Sequence, residues 1–174
     1  LLSPRNDMTF GTLVTNFYAR GGAIPAPWDF DTARQPFPVQ VEEVPTLENG
    51  LVTTLENGNT QVTHKLREGM LWSDGEPITS ADCAFAHELL MDPTTLTFQR
   101  GIYPEVVESF EVVDDLTFVL TYNSPYPDFQ SSATARCYLP EHLFREMLDS
   151  EGNIDNHPYF SGEGVVGYGP YLFD

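Results

Sequence analysis

The chain has 174 residues, 41% hydrophobic and 13% aromatic, enough for one domain with its own core and too apolar for a disordered segment. Its 26 acidic residues against 8 basic ones give a net charge of −18, so phosphate backbones and anionic headgroups repel it and nucleic acid is not an expected partner. No stretch reaches the roughly 18 consecutive apolar residues of a membrane span.

Residues 1–45 are rich in Pro and Gly. Leu1 in place of an initiating Met is what a processed secreted protein or a trimmed chain shows. The run GTLVTNFYAR is apolar but ambiguous in type, and Gly21-Gly22 ends it. IPAPWDFDTARQPFPVQVEEVP carries too many prolines for a helix and reads as extended chain and turns crossing a surface. TLENG occurs at 46–50 and again at 54–58. Two copies are too few for a solenoid, and their Asn-Gly ends predict turns that bound a short hairpin.

TQVTHKL alternates, with Val62, His64 and Leu66 on one side and Thr63, Lys65 and Arg67 on the other, the pattern of a half-buried strand. A helix is predicted from Thr79, whose hydroxyl can cap the Asp82 amide while Asp82 reaches back, as in a capping box. Cys83, Ala86 and Leu90 form its inward stripe, widened by Phe85 and Leu89, and Asp92-Pro93 stops it. FEVVDDLTFVLTY (110–122) reads as two strands joined at Asp114-Asp115, with Phe110 and Val112 sharing one face and Phe118, Leu120 and Tyr122 another. A second helix is predicted from about Pro140 to Leu148, with Pro140 in the first helical position and Leu143, Phe144, Met147 and Leu148 as its apolar face. Residues 149–164 read as a polar loop.

The surplus of acids is read as a solubilising surface, with attraction of cationic ligands as the alternative. Cys83 and Cys137 are too far apart for a zinc pattern. The inward position of Cys83 fits a buried free thiol. A bridge between the two is the alternative, closing a loop of about 55 residues and adding roughly 4 kcal/mol.

Catalytic and cofactor patterns are missing. There is no G-x-S-x-G elbow, no H-E-x-x-H, no phosphate-binding glycine spacing and no twelve-residue calcium loop. His64, His87, His142 and His157 are scattered and read as structural or surface residues. The acid pairs Asp114-Asp115 and Glu42-Glu43 are adjacent, so on strands they point apart and cannot face each other across a glycosidic bond. No cofactor and no metal site is expected. Phe17, Tyr18, Trp28, Phe30, Phe98, Tyr103, Tyr126, Phe129 and Tyr159 lie in or beside loops; most are expected to anchor the core, and a few can line a cleft for an organic ligand.

Several segments together resemble the family 5 extracellular solute-binding proteins, the oligopeptide-, dipeptide- and nickel-binding components of ABC importers. HKLREGMLWSDGEPITSADCAFAHELL (64–90) carries the pattern in Leu66, Arg67, Trp72, Asp74, Gly75, Pro77, Thr79 and Asp82. Ser80 and Cys83 stand where Ala and Val are more usual. EEVPTLENG, VESFEVVDDLTFVLTYNSPYPDF, CYLPEHLF and GYGPYLF follow in the family's order, with Glu141 replacing a basic residue and Tyr168 replacing Thr. The resemblance covers roughly residues 38–174.

It implies a mixed α+β fold with antiparallel strands and packed helices. The chain would be the N-terminal part of lobe one of a two-lobed, type II periplasmic-binding-protein-like molecule. A small inserted subdomain would span roughly 45–160, and the second lobe would be absent. The implied function is non-enzymatic, extracytoplasmic capture of a solute, foremost an oligopeptide or dipeptide. The implied partners are that solute and the membrane permease of an ABC transporter. The protein would be monomeric, in the periplasm or at the cell surface, with or without a lipid anchor. By position, the resemblance assigns ligand contacts to Asn16, Phe17 and Tyr18 and to Phe98, Gln99 and Arg100. It leaves Trp72, Asp74, Gly75, Pro77, Thr79 and Asp82 a structural role. Binders of nickel, sugar or opine, and the non-catalytic half of a secreted hydrolase, are the alternatives.

Overall fold

The computed structural model describes residues 26–95, 103–130, 137, 139–154, 156–161 and 165–169. Among these, an antiparallel four-stranded sheet is formed by β3 (Val52–Thr54), β4 (Thr60–Lys65), β5 (Val107–Asp114) and β6 (Thr117–Tyr122), in the order β3-β4-β6-β5. The second TLENG makes the β3–β4 turn, with Leu55 N–H donating to Asn59 O at 2.9 Å and Gly58 at φ +88°. Only glycine takes that backbone conformation without strain. The alternation in β4 is as expected: Thr60, Val62 and His64 are buried, Gln61 and Thr63 half-buried, and Lys65 exposed. In register, Val62 lies opposite Leu120 and His64 opposite Phe118, and all four are at most 1% exposed.

Upstream, β1 (Trp28–Phe30) and β2 (Pro36–Pro38) form a two-stranded ribbon of their own. The prolines were expected to give extended chain, and here they sit in a short ribbon where missing amide donors are tolerated. Pro27 O accepts from Val39, Gln40 and Val41 N–H, and Val41 bridges to Leu66 at the end of β4. Trp28 thereby lies flat against His64, with ring centroids 5.9 Å apart.

Helix α1 (Ser80–Met91) packs on β5, beside the one-turn α2 (Tyr103–Val106). Its start has the full capping box at Thr79 and Asp82, and its end is at Asp92, before Pro93. All five residues of the predicted inward stripe are buried. Helix α3 (Glu141–Glu151) crosses α1, with Phe85 and Phe144 stacked at 6.2 Å and the Arg145 guanidinium 4.9 Å above the Phe85 ring.

Three expectations need correction. Pro140 is the N-cap of α3 rather than its first helical residue, and the helix runs on to Glu151, where Gly152 at φ +70° ends it. Of its apolar face, Phe144 alone is fully buried. Residues 149–164 are not simply a polar loop. Their first three continue α3, Pro158–Ser161 is a 3-10 turn, and Ile154 and Tyr159 are buried, with Tyr159 edge-on to Phe144 at 5.0 Å. Finally, Cys83 is not a free thiol. It is bridged to Cys137, 54 positions away, with both residues buried.

Candidate functional site

The segment from Leu66 to Asp82 turns β4 into α1 through a tight corner. Leu71 bridges to Pro77, Trp72 N–H donates to Glu76 O at 2.8 Å, and Gly75 N–H donates to Trp72 O at 2.9 Å. Gly75 holds φ +97°, and Asp74 Oδ1 accepts from Glu76 N–H. An aspartate followed by glycine supplies what such a reversal needs, a side chain that bonds its own backbone and a residue free of Cβ clash. Arg67 is tied to the ribbon side: Nε donates to Val41 O at 3.0 Å and a terminal nitrogen to Pro38 O at 3.1 Å.

Under the corner sits Trp72, 1% exposed. Its indole N–H donates to Asp82 Oδ2 at 3.3 Å, and its ring meets Tyr168 edge-on at 5.0 Å. Asp82 accepts three N–H groups, from Trp72, from Thr79 at 2.9 Å and from Glu141 at 2.8 Å. One carboxylate thus closes the cap of α1, holds the buried indole and satisfies the first amide of α3. Burial pushes the Asp82 carboxyl above the usual range, and the three donors offset only part of that push.

The corner also gathers distant chain. Leu66 N–H donates to Leu116 O, and Ser80 N–H to Asp115 O, both in the β5–β6 turn. The Ser80 hydroxyl adds a bond to Asp114 O. Ser73 N–H donates to Gly167 O at 2.8 Å, and Gly167 N–H returns to Ser73 Oγ at 3.2 Å. His142 Nε2 lies 2.9 Å from Asp74 Oδ2. Burial works against the Asp74 carboxylate, yet the bonds from His142 and Glu76 and the charge of His142 hold its pKa below the usual value. Arg145 completes the junction of α1 with α3 through Glu141 and Glu88, each at 2.9 Å. Apart from the Arg145–Glu141 pair within α3 and the Asp74–Glu76 bond within the turn, these links tie one element to another.

The six residues given a structural role therefore come together in one junction. The six assigned to ligand contact, Asn16, Phe17, Tyr18, Phe98, Gln99 and Arg100, lie outside the described residues. No group of three or more His, Cys, Asp or Glu among the described residues is arranged to hold a metal ion. Sequence reasoning missed two long-range partners, Glu141 on Asp82 and Gly167 on Ser73, and held the Cys83–Cys137 bridge only as the alternative to a thiol. The signal was present in CYLPEHLF and GYGPYLF, which supply Cys137, Glu141 and His142, and Gly167 and Tyr168, respectively.

Comparison with known proteins places this junction. Residues 46–174 match the family described as bacterial extracellular solute-binding proteins, family 5 Middle. Protein XP55 of Streptomyces lividans is 31% identical over 132 residues, covering 76% of this chain and 22% of that protein. The periplasmic oligopeptide-binding protein OppA of Haemophilus influenzae is 28% identical over 125 residues, covering 63% of this chain and 22% of the relative. The structure of an oligopeptide-binding protein from Thermus thermophilus, complexed with a pentapeptide, superposes with a TM-score of 0.78 at 21% identity. That superposition covers 97% of this chain and 32% of the other, and it shows a shared fold. The chain spans under a quarter of the length of these two curated relatives. With the family match extending over most of its length, the chain belongs to the bacterial extracellular solute-binding proteins of family 5.

Proposed function

We propose that this chain is part of the N-terminal lobe of an extracytoplasmic binding protein that captures an oligopeptide or dipeptide and delivers it to the membrane permease of an ABC transporter. The family match over residues 46–174 carries the reading. The names of its relatives, which include oligopeptide-binding proteins, favour peptide over nickel, sugar or opine. The Cys83–Cys137 bridge supports an oxidising compartment outside the cytoplasm. In this reading residues 45–160 form a small subdomain, and the corner at Trp72 sets the rigid frame from which Asn16–Tyr18 and Phe98–Arg100 reach the ligand. Such a protein works by lobe closure on a solute and performs no bond-breaking step. Peptide ligands offer a repeating main chain, so backbone hydrogen bonds give affinity while side-chain pockets stay permissive.

The test is thermal unfolding of the full-length protein with a defined peptide mixture, an oligosaccharide and nickel in separate arms. A ligand at a hundredfold excess over its Kd stabilises by about 2.7 kcal/mol, a shift that is easily read. A rise in Tm with peptides, and peptides recovered intact, is the expected result. A rise with nickel or sugar alone moves the ligand class, cleaved peptides favour a hydrolase, and no rise in any arm removes the binding role.

A further inference from the structure

The chain contains the same pentapeptide twice, TLENG at 46–50 and at 54–58, and the two copies fold alike. In each, the glycine N–H donates to the leucine carbonyl three residues back, Gly50 to Leu47 at 3.3 Å and Gly58 to Leu55 at 2.9 Å. In each, the glycine has positive φ, +74° at Gly50 and +88° at Gly58. In each, the asparagine Oδ1 accepts from the backbone N–H two residues on, Leu51 for Asn49 and Asn59 for Asn57. Both asparagines are exposed.

The copies differ in what else holds the carboxamide. Asn49 Oδ1 also accepts from Thr46 N–H at 2.9 Å, and its Nδ2 donates to Glu43 Oε2 at 3.0 Å and to Val44 O at 2.9 Å. Asn57 has no counterpart to these three bonds, and its Nδ2 donates to no group among the described residues. One side chain is clamped from both ends; the other is held at its oxygen alone, by Asn59 N–H at 3.0 Å.

We propose that Asn57 is a site of spontaneous deamidation in the native protein and that Asn49, in the same sequence and the same turn, is protected. In this reaction a solvent base removes the Gly58 amide proton, and the nitrogen attacks Asn57 Cγ. The new N–Cγ bond forms as the Cγ–Nδ2 bond breaks, and the departing nitrogen takes up a proton and leaves as ammonia. Water then opens the resulting five-membered imide at one carbonyl or the other, giving aspartate or isoaspartate. The balance is Asn plus water to Asp plus ammonia. Glycine as the following residue places no side chain in the way of attack at either site, and each attacking N–H is held by the leucine carbonyl three residues back, at 3.3 Å for Gly50 and 2.9 Å for Gly58, so the attacking atom gives Asn57 no advantage. What separates them is the hydrogen bonding of the group that must rotate and depart. At Asn49 the leaving nitrogen is held by two acceptors, and Cγ cannot swing toward Gly50 without releasing them. With each such bond contributing modestly, losing two or more slows the reaction by about tenfold or more.

The two copies are each other's control. The intact native protein and the same protein in denaturant are aged in mildly alkaline buffer, and the peptides containing Asn49 and Asn57 are followed by mass and by isoaspartate content. In denaturant, where both carboxamides are free, the two sites should convert at similar rates. In the native protein Asn57 should convert about tenfold or more faster than Asn49. Equal native rates at the two sites, faster conversion at Asn49, or native protection at Asn57 as strong as at Asn49 would each overturn the proposal.

Discussion

His64 sits on β4 with both ring nitrogens unpartnered among the described residues and 1% exposure. Its ring is sandwiched between Trp28 at 5.9 Å and Phe118 at 4.7 Å, both near parallel. Burial lowers its pKa from 6.5 to about 3. The unfolded chain therefore binds a proton that the folded chain refuses between those two values, so stability from this site is complete above pH 6.5 and drains away as pH falls toward 3. The full loss is roughly 5 kcal/mol, at about 1.4 kcal/mol per unit. Acidification also discharges the carboxylates of this acidic chain, so the informative quantity is a difference between variants. His64→Phe keeps a stackable ring and removes two polar atoms that have no partner, a change that is close to neutral or stabilising near pH 7. Urea unfolding across the acid range should show a shallower loss for His64→Phe than for the parent. Parallel pH profiles would mean that His64 is solvated or bonded in solution and does not titrate as a buried ring.

At the scale of elements, the corner between β4 and α1 is where the fold is most concentrated, and Trp72 is its centre. Removing the indole leaves a cavity under Tyr168 and takes one of three donors from the buried Asp82 carboxylate, whose Oδ2 keeps the Thr79 N–H. Trp72→Ala should cost about 3–5 kcal/mol, the range for truncating a large buried aromatic, read as a drop in the urea midpoint at unchanged slope. Ligand preference of the full-length protein should be unaltered; a folded variant that no longer binds would put Trp72 in the site itself. The parts of this corner that the sequence makes legible are local ones. Thr79 and Asp82 lie three positions apart and cap each other, Asp74-Gly75 reverses the chain within one turn, and the alternation in β4 places Val62 and His64 inside. What it leaves dark is pairing at a distance. Nothing in the spacing joins Cys83 to Cys137, brings Glu141 N–H onto Asp82, or brings Gly167 onto Ser73, because those contacts are set by the packing of α3 and the final described segment against the corner. Pro140 shows the same limit: its preference for a helix start is clear, while its exact place there depends on Asp82 taking the next amide.

For the whole molecule, the governing quantity is the charge of −18. Two electrostatic effects oppose each other in their response to salt. Arg145 bridges Glu88, Glu141 and, at 3.7 Å, Asp149, and screening weakens those attractions. These pairs are partly exposed, and each contributes on the order of 1 kcal/mol or less. Against them stands the mutual repulsion of an 18-charge excess, which acts across the whole surface and favours expansion of the chain. Raising NaCl from about 0.01 to about 0.15 M shortens the screening length from roughly 30 to roughly 8 Å, so repulsion between separated carboxylates fades while contacts at bonding distance persist. The global term should win. Tm should rise over that range, and Arg145→Met should rise by at least as much, since it has lost the pairs that salt weakens while keeping the repulsion that salt relieves. A Tm that falls with salt in the parent and rises in Arg145→Met would show instead that one arginine, set among three acids over Phe85, outweighs the charge of the rest of the chain.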